Sequence, residues 1–156
     1  MFLFFKYKMT FSLNKYEFTG VWYEVASYKK YMPMNKNCMI TFLYNEKVDE
    51  LYSITECNFN SKKIKIDQKL ICNNNKCKAY IVGLPEIDYI ILDTDYKSYA
   101  IVDSGNNNSF IQILSRKQYA TIKEIQIYKN KLYDAGYAIS DVLCMAVPIE
   151  GYDYFI

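Results

Sequence analysis

Short apolar runs alternate with polar punctuation along most of the chain. Runs rich in β-branched and aromatic residues span Trp22–Tyr28, Cys38–Tyr44, Leu51–Phe59, Ile64–Cys72, Cys77–Val82, Ile87–Leu92, Tyr99–Asp103 and Phe110–Ser115. Turn-forming stretches such as "NEKVDE", "NSKK", "NNNK", "GLPE", "DTDYK" and "SGNNN" separate them. This spacing predicts eight antiparallel strands joined in sequence order by hairpin-sized turns. The period then changes. Ile122, Ile125, Tyr128 and Leu132 share one face of a 3.6-residue repeat, which predicts a helix ending near Gly136. The apolar tail from Ala138 would add an edge strand.

Eight meandering strands suffice to close an all-β, up-and-down antiparallel barrel with one C-terminal α-helix packed outside. Closure removes exposed edges and leaves room for one small ligand. A two-sheet sandwich with a filled core is the alternative that the pattern leaves open. The 156 residues fit a single domain. Its expected parts are residues 1–10 as an N-terminal extension or signal remnant, 11–144 as barrel plus helix, and 145–156 as a tail.

Composition narrows the chemistry. Histidine is absent, which excludes histidine acid/base catalysis, Ser-His or Cys-His triads, and histidine ligation of haem or zinc. The net charge is +2, and no dense lysine block interleaves with aromatics, so nucleic acid is not an expected partner. No apolar run is long enough to span a bilayer as a helix. The apolar stretch before Lys6 is too short for a secretory core. Against a background of 17 tyrosines and 19 basic residues, the single tryptophan, Trp22, and the single arginine, Arg116, stand out.

Three separated stretches carry a resemblance. "NKYEFTGVWYEVASY" from Asn14 holds Gly20 and Trp22 as Gly-x-Trp. "YIILDTDYKSYAIVDS" from Tyr89 holds Thr94, Asp95 and Tyr96 in a turn. "FIQILSRK" from Phe110 ends at Arg116, directly before the helix. In order and spacing these stretches resemble the lipocalin family, nearest to its apolipoprotein D and insect bilin-binding branch. The resemblance implies an eight-stranded barrel whose closed end is plugged by Trp22, with Arg116 across the indole. A guanidinium on an indole face gains about 0.5–2 kcal/mol.

The resemblance also implies a disulfide from Cys38 to Cys144, tying the tail to the barrel wall. Cys72 and Cys77 flank "NNNK" at a spacing that suits a cross-hairpin bridge. Cys57 is then left over. No metal site is expected, because one cysteine pair without histidine makes a poor zinc site. Disulfides favour an oxidising compartment, so a secreted protein is the first expectation and a cytoplasmic one the alternative. Asn107 lies in a glycosylation sequon, "NNS".

With register carried over from the family motifs, the lumen would be lined by Thr41 and Leu43, Tyr52, Ile54 and Glu56, Tyr89 and Ile91, Ala100 and Val102, and Phe110, Gln112 and Leu114. Ile111 and Ile113 would lie under the helix. Glu56 would either meet a cationic group or point to solvent. The loop carrying Tyr31, Met32 and Met34 would overhang the mouth as a lid. Such a lumen suits a small hydrophobic molecule; no cofactor is required, and a tetrapyrrole, fatty acid, retinoid or sterol would fit. The expected function is binding, sequestration or transport without catalysis, as a monomer or weak oligomer. Two alternatives stay open: a closed barrel acting as a protein-interaction or immune-modulating module, and a cavity isomerase with Cys57 as nucleophile.

Overall fold

A computed structural model describes residues 10–29, 36–59, 61–104 and 110–134. A one-turn helix, α1 (Lys15–Phe18), precedes eight strands. These are β1 (Gly20–Lys29), β2 (Lys36–Asn45), β3 (Glu50–Phe59), β4 (Lys62–Asn73), β5 (Lys76–Tyr80), β6 (Ile87–Thr94), β7 (Tyr99–Ser104) and β8 (Phe110–Ser115). A helix, α2 (Ile122–Asp134), follows. Each strand pairs antiparallel with its sequence neighbour and β8 returns to β1, so the sheet is one closed barrel and the sandwich alternative falls. Gly136, the tail from Ala138 with Cys144, the lid residues Tyr31, Met32 and Met34, and Asn107 lie outside the described residues.

The elements begin where local chemistry starts them. The Asn14 Oδ1 accepts from the Glu17 N–H at 3.1 Å, capping α1. Thr121 and Glu124 cap α2 reciprocally: the Glu124 N–H donates to the Thr121 hydroxyl, and the Thr121 N–H donates to the Glu124 carboxylate. Ile125, Tyr128 and Leu132 then face the barrel, while Ile122 is 56% exposed.

Two apolar clusters result. Inside the barrel lie Phe18, Trp22, Ile40, Phe42, Leu51, Leu70, Tyr89, Ile91, Ala100, Val102 and Leu114. Outside, under α2, lie Val25, Ala26, Ile101, Ile111 and Ile113. A β-bulge separates the two roles along β1: its register against β8 shifts between Glu24 and Ala26. One extra residue there lets Val25 and Ala26 both join the helix-side cluster.

Two corrections concern β2 and β3. Cys38 is bonded to Cys57, not to Cys144; the two stand directly opposite one another on paired strands, with Cα atoms 4.1 Å apart. Cys57 is therefore not a leftover thiol. Cys38 shares the inner face of β2 with Ile40 and Phe42, so Thr41 and Leu43 point outward, and Leu43 is 51% exposed. The ladder transmits this register. Cys57, Thr55, Ser53 and Leu51 oppose Cys38, Ile40, Phe42 and Tyr44, which turns Tyr52, Ile54 and Glu56 to the outer face. A strand has period two, so a one-residue slip in the register carried over from the family motifs inverts the faces of both strands. Cys72 and Cys77 are bonded across the β4–β5 hairpin.

Candidate ligand-binding site

The closed end of the barrel is built around Trp22. Its indole N–H donates to the Phe18 carbonyl at 3.0 Å, and the Arg116 guanidinium lies 3.7 Å from the ring centroid. Arg116 also donates to four carbonyls: Tyr96 at 3.0 Å, Val21 at 2.9 Å, Glu17 at 3.0 Å and Thr19 at 2.9 Å. Burial pulls its pKa down from the ordinary value, and the Asp95 charge opposes that. Gly20 makes the close approach feasible. Its φ is +100°, and a Cβ there would sit 3.1 Å from Arg116 Nη1.

The Thr94–Tyr96 turn braces the same end. The Thr94 hydroxyl donates to the Tyr99 carbonyl and accepts from the Tyr96 N–H. Asp95 Oδ1 accepts from the N–H groups of Lys97, Ser98 and Tyr99. The Tyr96 hydroxyl accepts from the Asn14 N–H. All of these groups fasten segments to each other, so the motif residues are fold supports.

Above this plug the lower lumen is filled. Phe18 packs on Trp22 and Phe42 with ring centroids 5.3 and 4.9 Å away, and Leu51, Leu70, Ile91 and Leu114 close around them without exposure. Tyr89, Ile91, Ala100, Val102, Gln112 and Leu114 face this interior. The side chain of Phe110 lies outside the description.

The open space lies higher. A cavity of about 320 Å³ is bordered by Glu24, Cys38, Cys57 and Ile64 from the inner face and by Tyr23, Met39, Glu56, Lys65 and Gln118 from the outer. Both faces border it because β1 and β2 stop pairing at Tyr23 opposite Met39, and the wall parts beyond. Of the lining residues expected from sequence, only Glu56 borders it, at the outer edge. Glu24 was missed: it is 4% exposed, and its carboxylate accepts from the Gln112 side-chain amide at 3.1 Å. Its signal was present, because alternation from the inward Trp22 places Glu24 inward too. Further round the lumen, the Gln68 amide reaches the Ser53 hydroxyl at 3.4 Å. Burial first, and the Glu24 charge second, push the Tyr89 phenol far above its ordinary pKa, so it stays a protonated donor. Cys57 is held in a disulfide and supplies no thiolate here. No group of side chains that could hold a metal ion occurs among the described residues.

The closed barrel and the helix outside it match solved structures. Lobster apocrustacyanin A1 superposes with a TM-score of 0.70 at 17% identity, covering 89% of this chain and 81% of that one. Insecticyanin from the tobacco hornworm Manduca sexta gives 0.68 at 16%, covering 90% and 87%. The siderocalin Ex-FABP gives 0.64 at 19%, covering 86% and 97%. In sequence, the chain is 35% identical over 54 residues to a chloroplastic lipocalin of Arabidopsis thaliana. The chain has the lipocalin fold. No family model matches it, and the aligned stretch spans 15% of the chloroplastic lipocalin's length. Within this lipocalin barrel, Gly20–Trp22 and Arg116 form the closed end, and the cavity beside Glu24 lies where β1 and β2 part.

Proposed function

We propose that this lipocalin barrel binds one small hydrophobic or amphipathic molecule in the cavity beside Glu24, where the wall parts between β1 and β2, and acts as a carrier or sequestering protein. The carrying observation is the cavity of about 320 Å³, within the size range of small-molecule sites. Apolar wall from Met39, Ile64 and the Cys38–Cys57 bridge would hold the ligand by area burial. Glu24, fixed by Gln112, would orient a polar end. The fold neighbours support a binding role, since one is described as functioning through dual ligand specificities. Fatty acids, retinoids, sterols and tetrapyrroles are the classes to test. The function is binding rather than catalysis; the thiol chemistry considered for Cys57 would first need the bridge reduced. Two disulfides suit an oxidising compartment. Secretion is the reading we favour, with an organelle as the alternative, given the likeness to a chloroplastic lipocalin.

The filled lower lumen supports a second reading, a closed barrel that acts through its surface. One titration separates the two. A fluorescent probe of each ligand class is added to the protein and to Met39→Trp, which places extra bulk in the cavity. Saturable binding weakened at least tenfold by Met39→Trp supports the carrier. No saturable binding by any probe, or equal affinity in the variant, supports the closed barrel.

A further inference from the structure

The rim formed by the β3–β4 hairpin has a feature that ligand binding does not use. β4 pairs with β5 only from Lys69 to Asn73, opposite Lys76 to Tyr80, while β3 pairs with β4 all the way to Phe59 opposite Lys62. The first residues of β4 therefore run past the end of β5, and residues 62–67 are all exposed. On the inner face, Ile64 and Ile66 are 41% and 39% exposed. Lys62, Lys63 and Lys65 surround them, and none forms an ion pair among the described residues. The backbone register brings two more lysine positions to the same rim: Lys36 opposite Phe59 and Lys29 opposite Phe110. Of the acidic residues of the hairpin, Glu56 stands opposite Lys65 on the outer face, and Asp67 stands opposite Ile54, further from the tip. Ile64 and Lys63 also border the cavity.

Exposed aliphatic side chains ringed by lysines match the surface of an anionic bilayer. The hydrocarbon enters the headgroup boundary while the ammonium groups meet lipid phosphates. We propose that the open rim of the barrel, through Lys62, Lys63, Ile64, Lys65 and Ile66, docks on anionic lipid membranes and so presents the cavity to the lipid phase. A second copy is a poorer occupant. Antiparallel self-pairing that sets Ile64 opposite Ile66 also sets Lys65 opposite its own copy, where like charges repel.

Docking is independent of the cavity reading, because it is measured with no cavity ligand present. The protein is sedimented with sucrose-loaded vesicles of phosphatidylcholine alone and with 30 mol% phosphatidylglycerol, at low salt and at 0.5 M NaCl. Binding is expected only to the anionic vesicles, and high salt should weaken it at least tenfold. A triple variant, Lys62→Glu with Lys63→Glu and Lys65→Glu, should weaken partitioning by about 100-fold or more. Ile64→Ser with Ile66→Ser should weaken it while keeping the salt dependence. Lys47→Glu with Lys97→Glu, at the closed end, should bind as the parent does. Circular dichroism checks that each variant is folded. Absent binding to anionic vesicles, or undiminished binding by the triple variant, overturns the proposal. So does a dimer in analytical ultracentrifugation that the triple variant loses without any change in vesicle binding.

Discussion

Replacing Arg116 with alanine is the most informative perturbation of the closed end. The guanidinium bonds four backbone carbonyls belonging to α1, the residues flanking it, β1 and the β6–β7 turn. A hydrogen bond from a charged donor is worth about 1.5–3 kcal/mol when buried. Arg116 is only partly buried, so about 0.5–1 kcal/mol for each bond is the appropriate scale after solvent screening. Stacking on Trp22 at 3.7 Å adds about 1 kcal/mol. Together Arg116→Ala should cost about 3–5 kcal/mol, a large part of the roughly 5–15 kcal/mol that holds a domain of this kind together. For a chain of this length that lowers Tm by about 10 °C or more. Arg116→Lys should fall between, because an ammonium keeps charge but loses the planar fork that spans four carbonyls. Trp22 is the single tryptophan, so its emission follows unfolding from inside the same site. The control is Lys97→Ala, an exposed substitution in the neighbouring turn. If Arg116→Ala lowers Tm no more than Lys97→Ala does, the guanidinium is not the fastener described here.

Peptide mapping under non-reducing conditions should recover Cys38 joined to Cys57 and Cys72 joined to Cys77; recovery of Cys38 joined to Cys144 would contradict the register of β2 and β3. That register also predicts that Phe42→Ala, which empties part of the barrel interior, costs about 3–5 kcal/mol in urea unfolding, while the outward Leu43→Ala costs less than about 1 kcal/mol. Acid and alkali should act at different residues. At Asp95, burial opposes ionisation but the N–H donors of Tyr99, Ser98 and Lys97 outweigh it, so the carboxyl titrates below its ordinary 3.8. Its contribution is present above that value and lost as pH falls through the depressed one, and Asp95→Asn should flatten the acid limb of Tm against pH. Tyr89 is raised above its ordinary 10.0, so stability should fall as pH climbs past 10; Tyr89→Phe should move the alkaline unfolding midpoint upward.

What the sequence disclosed depended on whether a residue carried its own reference point. The barrel was legible because eight apolar runs came with turn chemistry between them, and the helix because its period differs from that of a strand. The closed end was legible because Trp22 and Arg116 are single copies on separate motifs, with no competing candidates. The strand faces had no such marker. On β2 and β3 the register rested on the family motifs alone, and five cysteines allow several pairings that no local pattern ranks. A one-residue slip in that register turned Thr41, Leu43, Tyr52, Ile54 and Glu56 inward together. The ladder then explains why the corrected register sends all five outward at once. Trp22 offered a sounder origin. Two residues on, alternation places Glu24 in the lumen, and pairing with β8 sets it beside Leu114 and within reach of Gln112. Beyond Glu24 the same counting fails, because the bulge before Ala26 inserts a residue without altering the apolar pattern of "EVASY". Val25 and Ala26 are both small and apolar and suit either face. Only the pairing with β8 shows that both belong to the cluster beneath α2. The cavity was illegible for a related reason: it exists where β1 and β2 cease to pair after Tyr23 and Met39, and the length of a pairing is a property of two strands that neither strand's sequence states.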